Sequence, residues 1–182
     1  MKRKRLLLVA FLLSCFFILK AQKEIYPSDA GSNIHFVIKN FGIKTGGDFS
    51  GLKGTIKFDS KNPSNASFDV SVNSSTINTD NDSRDGHLKK EEYFDVKKYP
   101  AIHLVSTKIQ GTTKAGRYQF TGNLTIKKTT KPVTFQFTAV EKDGGYLFVS
   151  DDITINRRDF EVGSNSISLA DELKLTISVL AK

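Results

Sequence analysis

The 182-residue chain holds one cysteine, Cys15, and no tryptophan. A single cysteine excludes an intramolecular disulfide and leaves no cysteine-based zinc cage. No GxSxG or comparable nucleophile elbow occurs, and no HExxH spacing. A Pro/Ser-rich linker is also missing, as is any internal repeat long enough to suggest two domains. What is present is 38% apolar and 25% charged. That is enough for a core, excludes a wholly disordered chain, and fits a single domain.

The formal charge of +8 is unevenly spread. Residues 1–21 hold Lys2, Arg3, Lys4, Arg5 and Lys20 with no acid, so most of the excess belongs to this leader. Beyond it, the pairs Lys89-Lys90, Lys97-Lys98 and Lys127-Lys128 are scattered and offset by acids, while the aromatics share the apolar strand phase. Nucleic-acid binding needs clustered cations interleaved with exposed aromatics, so no nucleic-acid partner is expected.

Within the leader, Lys2 to Arg5 precede an apolar run of 14 residues, Leu6 to Leu19. That run is too short to span about 30 Å of hydrocarbon as a helix and suits a secretory signal peptide, cleaved after Ala21. Two rival readings are an uncleaved membrane anchor and a lipoprotein acylated at Cys15 in Leu13-Ser14-Cys15. Phe16 to Leu19 continue the apolar run past Cys15, which argues against the second. The expected organisation is a signal over residues 1–21 and one domain over residues 22–182, periplasmic or secreted and free of cysteine.

From Asn33 onward apolar residues recur with period two, the mark of half-buried strands. Ile34, Phe36 and Ile38 form the first run, followed by runs at Leu52–Phe58, Phe68–Val72 and Ile102–Leu104. Further runs are Tyr118–Leu124, Val133–Ala139, a segment from Tyr146 to Asn156 that is out of phase with itself, and Leu173–Val179. The out-of-phase segment suggests a bulge. A short helix is expected between Asp82 and Lys98, capped by Asp82 or Ser83, and a short turn near Asn40 to Thr45. Eight such strands bury their apolar faces together in a barrel or a two-sheet sandwich, and hairpin-length links favour the up-and-down barrel. The fold class expected is therefore all-β, an eight-stranded antiparallel barrel with one or two short helices.

Three clusters invite a chemical reading. Asn81, Ser83, Asp85, Gly86 and Glu92 imitate a calcium loop, but Asn81 replaces the leading Asp and Arg84, Lys89 and Lys90 crowd the site. His35, His87 and His103 lack metal-site spacing, so no metal is expected. Arg84, Asp85 and His87 are close enough in sequence for an acid–base cluster. The plainer reading, which is favoured, is an Arg84–Asp85 ion pair bracing a loop.

Several segments together carry a resemblance. They are Ser32-Asn33-Ile34-His35-Phe36-Val37-Ile38-Lys39, Arg84-Asp85-Gly86-His87-Leu88, and Phe94-Asp95-Val96-Lys97-Lys98-Tyr99-Pro100. Gly122-Asn123-Leu124-Thr125-Ile126 with Thr130-Lys131-Pro132-Val133 follows, then Ile155-Asn156-Arg157-Arg158-Asp159-Phe160. In this order they resemble the YceI-like, polyisoprenoid-binding family through nearly the whole mature chain. The resemblance implies a lipocalin-like barrel whose hollow interior holds a long apolar chain, usually an isoprenoid quinone, an isoprenoid phosphate or a similar amphiphile. The sequence departs from the family pattern at Asn40, often His, and Leu104, often Phe. It departs again at Lys128 and Glu161, both often Gly.

The expected function is that of an exported, non-enzymatic carrier or sequestration protein for a long-chain isoprenoid or fatty-acyl amphiphile, with no cofactor. Ligand-facing interior positions are Phe36, Ile38, Phe58, Phe68, Val70 and Ile102. Across the barrel they are joined by Leu104, Phe120, Leu124, Phe135, Phe137 and Leu175, a wall suited to an alkyl chain. Asn40, Arg84, Asp85 and His87 are candidates for the mouth and the head group. Two other classes stay open: a lipid-modifying hydrolase or isomerase using Arg84, Asp85 and His87, and a filled structural or adhesion barrel with no ligand. Transient membrane contact and a homodimer also remain open.

Overall fold

A computed structural model describes residues 23–182. The expected signal peptide, its cleavage site and Cys15 lie outside the described residues. The strands are β1 (Glu24–Ile25), β2 (Pro27–Asn40), β3 (Ile43–Phe49), β4 (Lys53–Lys57) and β5 (Ser67–Asn73). After the helix α1 (Asp82–Leu88) come β6 (Ala101–Gly111), β7 (Arg117–Ile126), β8 (Thr129–Lys142), β9 (Gly145–Ser150), β10 (Ile153–Asn156) and β11 (Leu169–Ala181). They form one antiparallel sheet in the order β1-β4-β5-β6-β7-β8-β9-β11-β2-β3, with β10 also on β11.

Every run of alternating residues is a strand, but the sheet has eleven strands rather than eight. One addition is β3, whose Thr45-Gly46-Gly47 centre carries no apolar alternation. It forms because its glycines let β2 side chains cross it: a Cβ on Gly47 would stand 2.6 Å from Phe36 Cζ. The out-of-phase segment is broken rather than bulged. Asp151 and Asp152 leave the sheet, and β9 and β10 each pair separately with β11.

The third addition, β1, explains how the sheet rolls up without a strictly closed hydrogen-bond ring. Only Tyr26 separates it from β2, and Tyr26 exchanges backbone hydrogen bonds of 3.0 and 3.1 Å with Lys182. One bent segment thus pairs first with β4 and then with β11. On the far side of the seam, the Asp29 carboxylate accepts hydrogen bonds from the amides of Gly51 and Leu52. Strand β3 meets the chain before α1 through Asp48 and Asn78.

The helix begins one residue earlier than expected, because Asn81 rather than Asp82 or Ser83 supplies the cap. Its side-chain oxygen accepts from the Arg84 amide at 2.9 Å. The helix and the Lys89–Pro100 segment after it cover one end of the barrel. At the other end, aromatic side chains form a solid floor. Phe58 is its hub, with ring centroids 5.1 Å from Tyr118, 5.0 Å from Tyr146 and 5.2 Å from Phe148. These edge-to-face contacts are favourable beyond their buried area.

Candidate functional site

The interior between floor and helix is not filled. A cavity of about 160 Å³ lies at the helix end, walled by Phe36 and Ile38 of β2, Ile102 of β6, Leu124 of β7 and Leu175 of β11. A second, of about 80 Å³, shares Ile102, Leu124 and Leu175 with the first and adds Val70, Leu104 and Phe135. The third, of about 50 Å³, runs down to the floor between Phe68, Phe120, Phe135 and Phe137. Only shared side chains separate these three spaces. Every interior position expected from the alternation borders one of them, Phe58 excepted. Phe58 belongs to the packed floor, where its ring is ringed by other aromatics.

On β7 and β8 the inward side chains shrink toward the helix end, which opens space there. On β7 the inward phase passes from Tyr118 and Phe120 to Gly122 and Leu124. Antiparallel pairing sets Phe120 against Phe135 and Tyr118 against Phe137, so β8 repeats the gradient down to Val133. The stacked Phe120 and Phe135 rings, 4.7 Å apart, form the step between the hollow and filled regions.

Among the described residues, most polar groups that line these cavities gather at the helix end. Asn40, Thr45, Thr79 and Arg84 line the 160 Å³ cavity. Asp85 is buried behind them, and its Oδ1 accepts from the Thr79 amide at 3.0 Å and from the Thr79 hydroxyl at 2.5 Å. Arg84 donates through Nε to Thr79 Oγ1 at 2.7 Å and through Nη2 to the Thr79 carbonyl at 2.6 Å. The Arg84–Asp85 ion pair expected from the sequence is therefore replaced by a bridge through Thr79. Consecutive helical residues do not face each other, so a third group must join them.

His87 does not join this cluster. Its Nε2 lies 4.0 Å from Glu92 Oε2 and its ring packs on Tyr93, outside the cavity lining. The sequence neighbours Arg84, Asp85 and His87 thus form no acid–base constellation. The calcium-like loop is likewise committed elsewhere, with Asn81 capping α1 and Asp85 holding Thr79. His35 and His103 lie on the outer face beside Asp48 and Asp69, at 2.7 and 3.8 Å.

One residue of the mouth escaped the reading of the sequence as a site. Arg157 lines the cavity and is 3% exposed. Its guanidinium donates to the carbonyls of Ala170, Val162, Ser164 and Leu169 and to the Asp171 carboxylate at 2.8 Å. It ties the 161–171 loop to the barrel rim. The two turn residues that depart from the family pattern face each other at this end: Lys128 Nζ meets Glu161 Oε2 at 3.0 Å. Glu161 holds the Lys128 ammonium above its usual pKa by this hydrogen bond and its charge. At the floor, burial pushes the Tyr118 hydroxyl upward.

Comparison with known proteins agrees with this architecture. BcnA of Burkholderia cenocepacia superposes with a TM-score of 0.77 at 25% identity, covering 82% of this chain and 96% of BcnA. A polyisoprenoid binding domain from Saccharophagus degradans shares the fold with a TM-score of 0.70 at 11% identity, covering 88% of this chain and 98% of that one. A UPF0312 protein of Pectobacterium atrosepticum is 30% identical over 178 residues, 94% of this chain and 91% of that protein. The YceI-like domain model matches residues 26–181, nearly all of the described barrel, and the chain belongs to the family of YceI-like domains.

Proposed function

We propose that the protein is an exported, non-enzymatic binding protein for a long-chain isoprenoid or fatty-acyl amphiphile. The tail would occupy the barrel interior and the head group would sit beside Asn40 and Arg84. The observation that carries this reading is the line of three apolar cavities, which runs from that polar end to the aromatic floor. The polyisoprenoid binding domain of Saccharophagus degradans adds support by its shared fold. Export rests on the leader of the sequence.

Magnitudes define what binding must involve. A cavity near 160 Å³ holds a group about the size of benzene, not a whole tail. A tail of roughly 20 carbons would gain about 16 kcal/mol at ~0.8 kcal/mol per methylene, against an association cost of about 4–15 kcal/mol. Tight binding of such a tail therefore requires the shared walls between the cavities to swing aside and join them. The filled-barrel reading describes only the floor end, where Phe137 is buried and Phe120 stacks on Phe135. The hydrolase or isomerase reading finds little support, since Asp85 holds Thr79 and His87 faces away.

Protein purified without delipidation should carry a stoichiometric lipid in native mass spectrometry, and solvent extraction should remove it. A His87→Ala variant should carry the same amount. Turnover of an added isoprenoid amphiphile by wild type, lost in His87→Ala, would replace the carrier with an enzyme. No bound lipid and no uptake of an added long-chain amphiphile would leave the filled barrel.

A further inference from the structure

We propose that the rim of the widest of the three interior cavities is a membrane-docking edge, which inserts into a bilayer bearing anionic head groups. This deepens the binding reading above, because it names the surface from which a tail would enter. Three side chains form the edge. Phe41 is 80% exposed, Ile43 is 70% exposed and Ile167 is fully exposed. Among the described residues these are the three most exposed large apolar side chains. All three lie within two residues of the cavity wall: Asn40, which lines the cavity, pairs with Ile43 on one side and Leu169 on the other. The Phe41 amide donates to the Ser168 carbonyl at 2.8 Å, which places Phe41 beside the Ile167 loop.

The backbone under Phe41 is costly to maintain. Phe41 and Gly42 join β2 to β3 in a two-residue turn with φ of 49° and 77°. Positive φ at both positions selects Asn-Gly or Asp-Gly in such hairpins, and a bulky side chain at the first position is strained. The same chain makes the same turn at the opposite end of the barrel with the favoured residues. There Asp143 and Gly144 take φ of 51° and 80° between Lys142 and Gly145. A phenylalanine in the strained position, turned into solvent, gains nothing from folding, which points to a contact outside the chain.

Charge next to the edge selects the partner. Lys39 and Lys44 are direct cross-strand partners on the outer face of this hairpin, both exposed. Like charges placed opposite each other destabilise a sheet, and neither forms an ion pair among the described residues. A surface rich in anionic lipid head groups relieves this repulsion, while its acyl layer takes the apolar tip. The chemistry fits a lipid bilayer better than a second copy of the chain, which would bring the lysine pairs together.

The test uses three variants of the full barrel and flotation with vesicles. Phe41→Asn restores a favoured turn residue, so its thermal midpoint should equal or exceed that of wild type. Combined with Ile167→Ser, it should lower partition onto phosphatidylglycerol-containing vesicles at least about tenfold. Lys39→Gln/Lys44→Gln should weaken it by about fivefold per lysine, and raised salt should do the same to wild type. Wild type should bind phosphatidylcholine vesicles more weakly. Unchanged flotation in the Phe41→Asn/Ile167→Ser variant, or none in wild type, overturns the proposal. So does a wild-type dimer in sedimentation that the variant abolishes, since the edge is then a contact between copies. Lipid content read by native mass spectrometry on the same preparations separates the two readings. An empty barrel that still floats refutes the ligand and keeps the docking edge.

Discussion

Replacing Arg157 with methionine should cost about 3–5 kcal/mol of stability, among the larger effects any single side chain here would produce. The methionine keeps much of the apolar stem, so the loss isolates the guanidinium. Four carbonyls, of Val162, Ser164, Leu169 and Ala170, lose their donor, and the Asp171 carboxylate loses its cation. With Arg157 at 3% exposure, water replaces few of these partners without opening the loop. Arg157→Lys should recover only a small part. An ammonium has three donors and no planar fork, and cannot reach acceptors spread from Val162 to Asp171. Urea unfolding followed by circular dichroism gives the measurement. A midpoint within error of wild type for Arg157→Met would show that the loop is held by its apolar contacts, Val162 and Phe160 among them, and not by the guanidinium.

That a buried arginine organises the rim was not readable in the sequence, and the reason is spatial. Arg157 shares the buried phase of Ile153 and Ile155, which sets it apart from Arg158, but alternation does not say what a buried guanidinium meets, and Asp171 lies a whole loop away in the chain. Its partners come from the loop that folds back over it, from Val162 to Asp171. The Arg84–Asp85 pair failed for a related reason. Adjacency suggested contact, but the helix turns the two side chains apart and Thr79, from a preceding bend, becomes their common partner.

Strands were legible wherever one face is buried, because period two survives any detail of packing. Strand β3 was not, since its glycines contribute space to β2 instead of apolar contacts of their own. The switch at Tyr26 was equally silent, being a change of pairing partner from β4 to β11. The interior was legible as a wall, but its division into floor and cavity required the register. Only once Phe120 is known to face Phe135, and Tyr118 to face Phe137, do the aromatic residues of β7 and β8 gather at one level and their smaller ones at the other. Alternation says which way a side chain points, and register says what it meets there.

Phe135→Asp should abolish lipid carriage while Gln136→Asp, one residue along and on the outer face, should leave it intact. Phe135 borders both the middle and the lower cavity, so a tail passing from one to the other must cross it. In the unloaded barrel the new carboxylate has room for a few waters, because each needs only about 10–15 Å³ of such space. Once a tail fills the cavities those waters leave, and the charge faces hydrocarbon with no partner, a penalty of several kcal/mol. A loss of about 4 kcal/mol weakens binding roughly a thousandfold, enough to empty the barrel during purification. Removing the ring also leaves Phe120 without its stacking partner, so part of the fold's stability goes with it. Circular dichroism must first show a β-rich state. Acidification then supplies an internal control, since burial raises the pKa of the introduced carboxyl and its neutral form should readmit lipid at lower pH. A folded Phe135→Asp variant that carries wild-type amounts of lipid at neutral pH would mean that the tail does not traverse the barrel, and that the cavities are packing defects beside a site elsewhere.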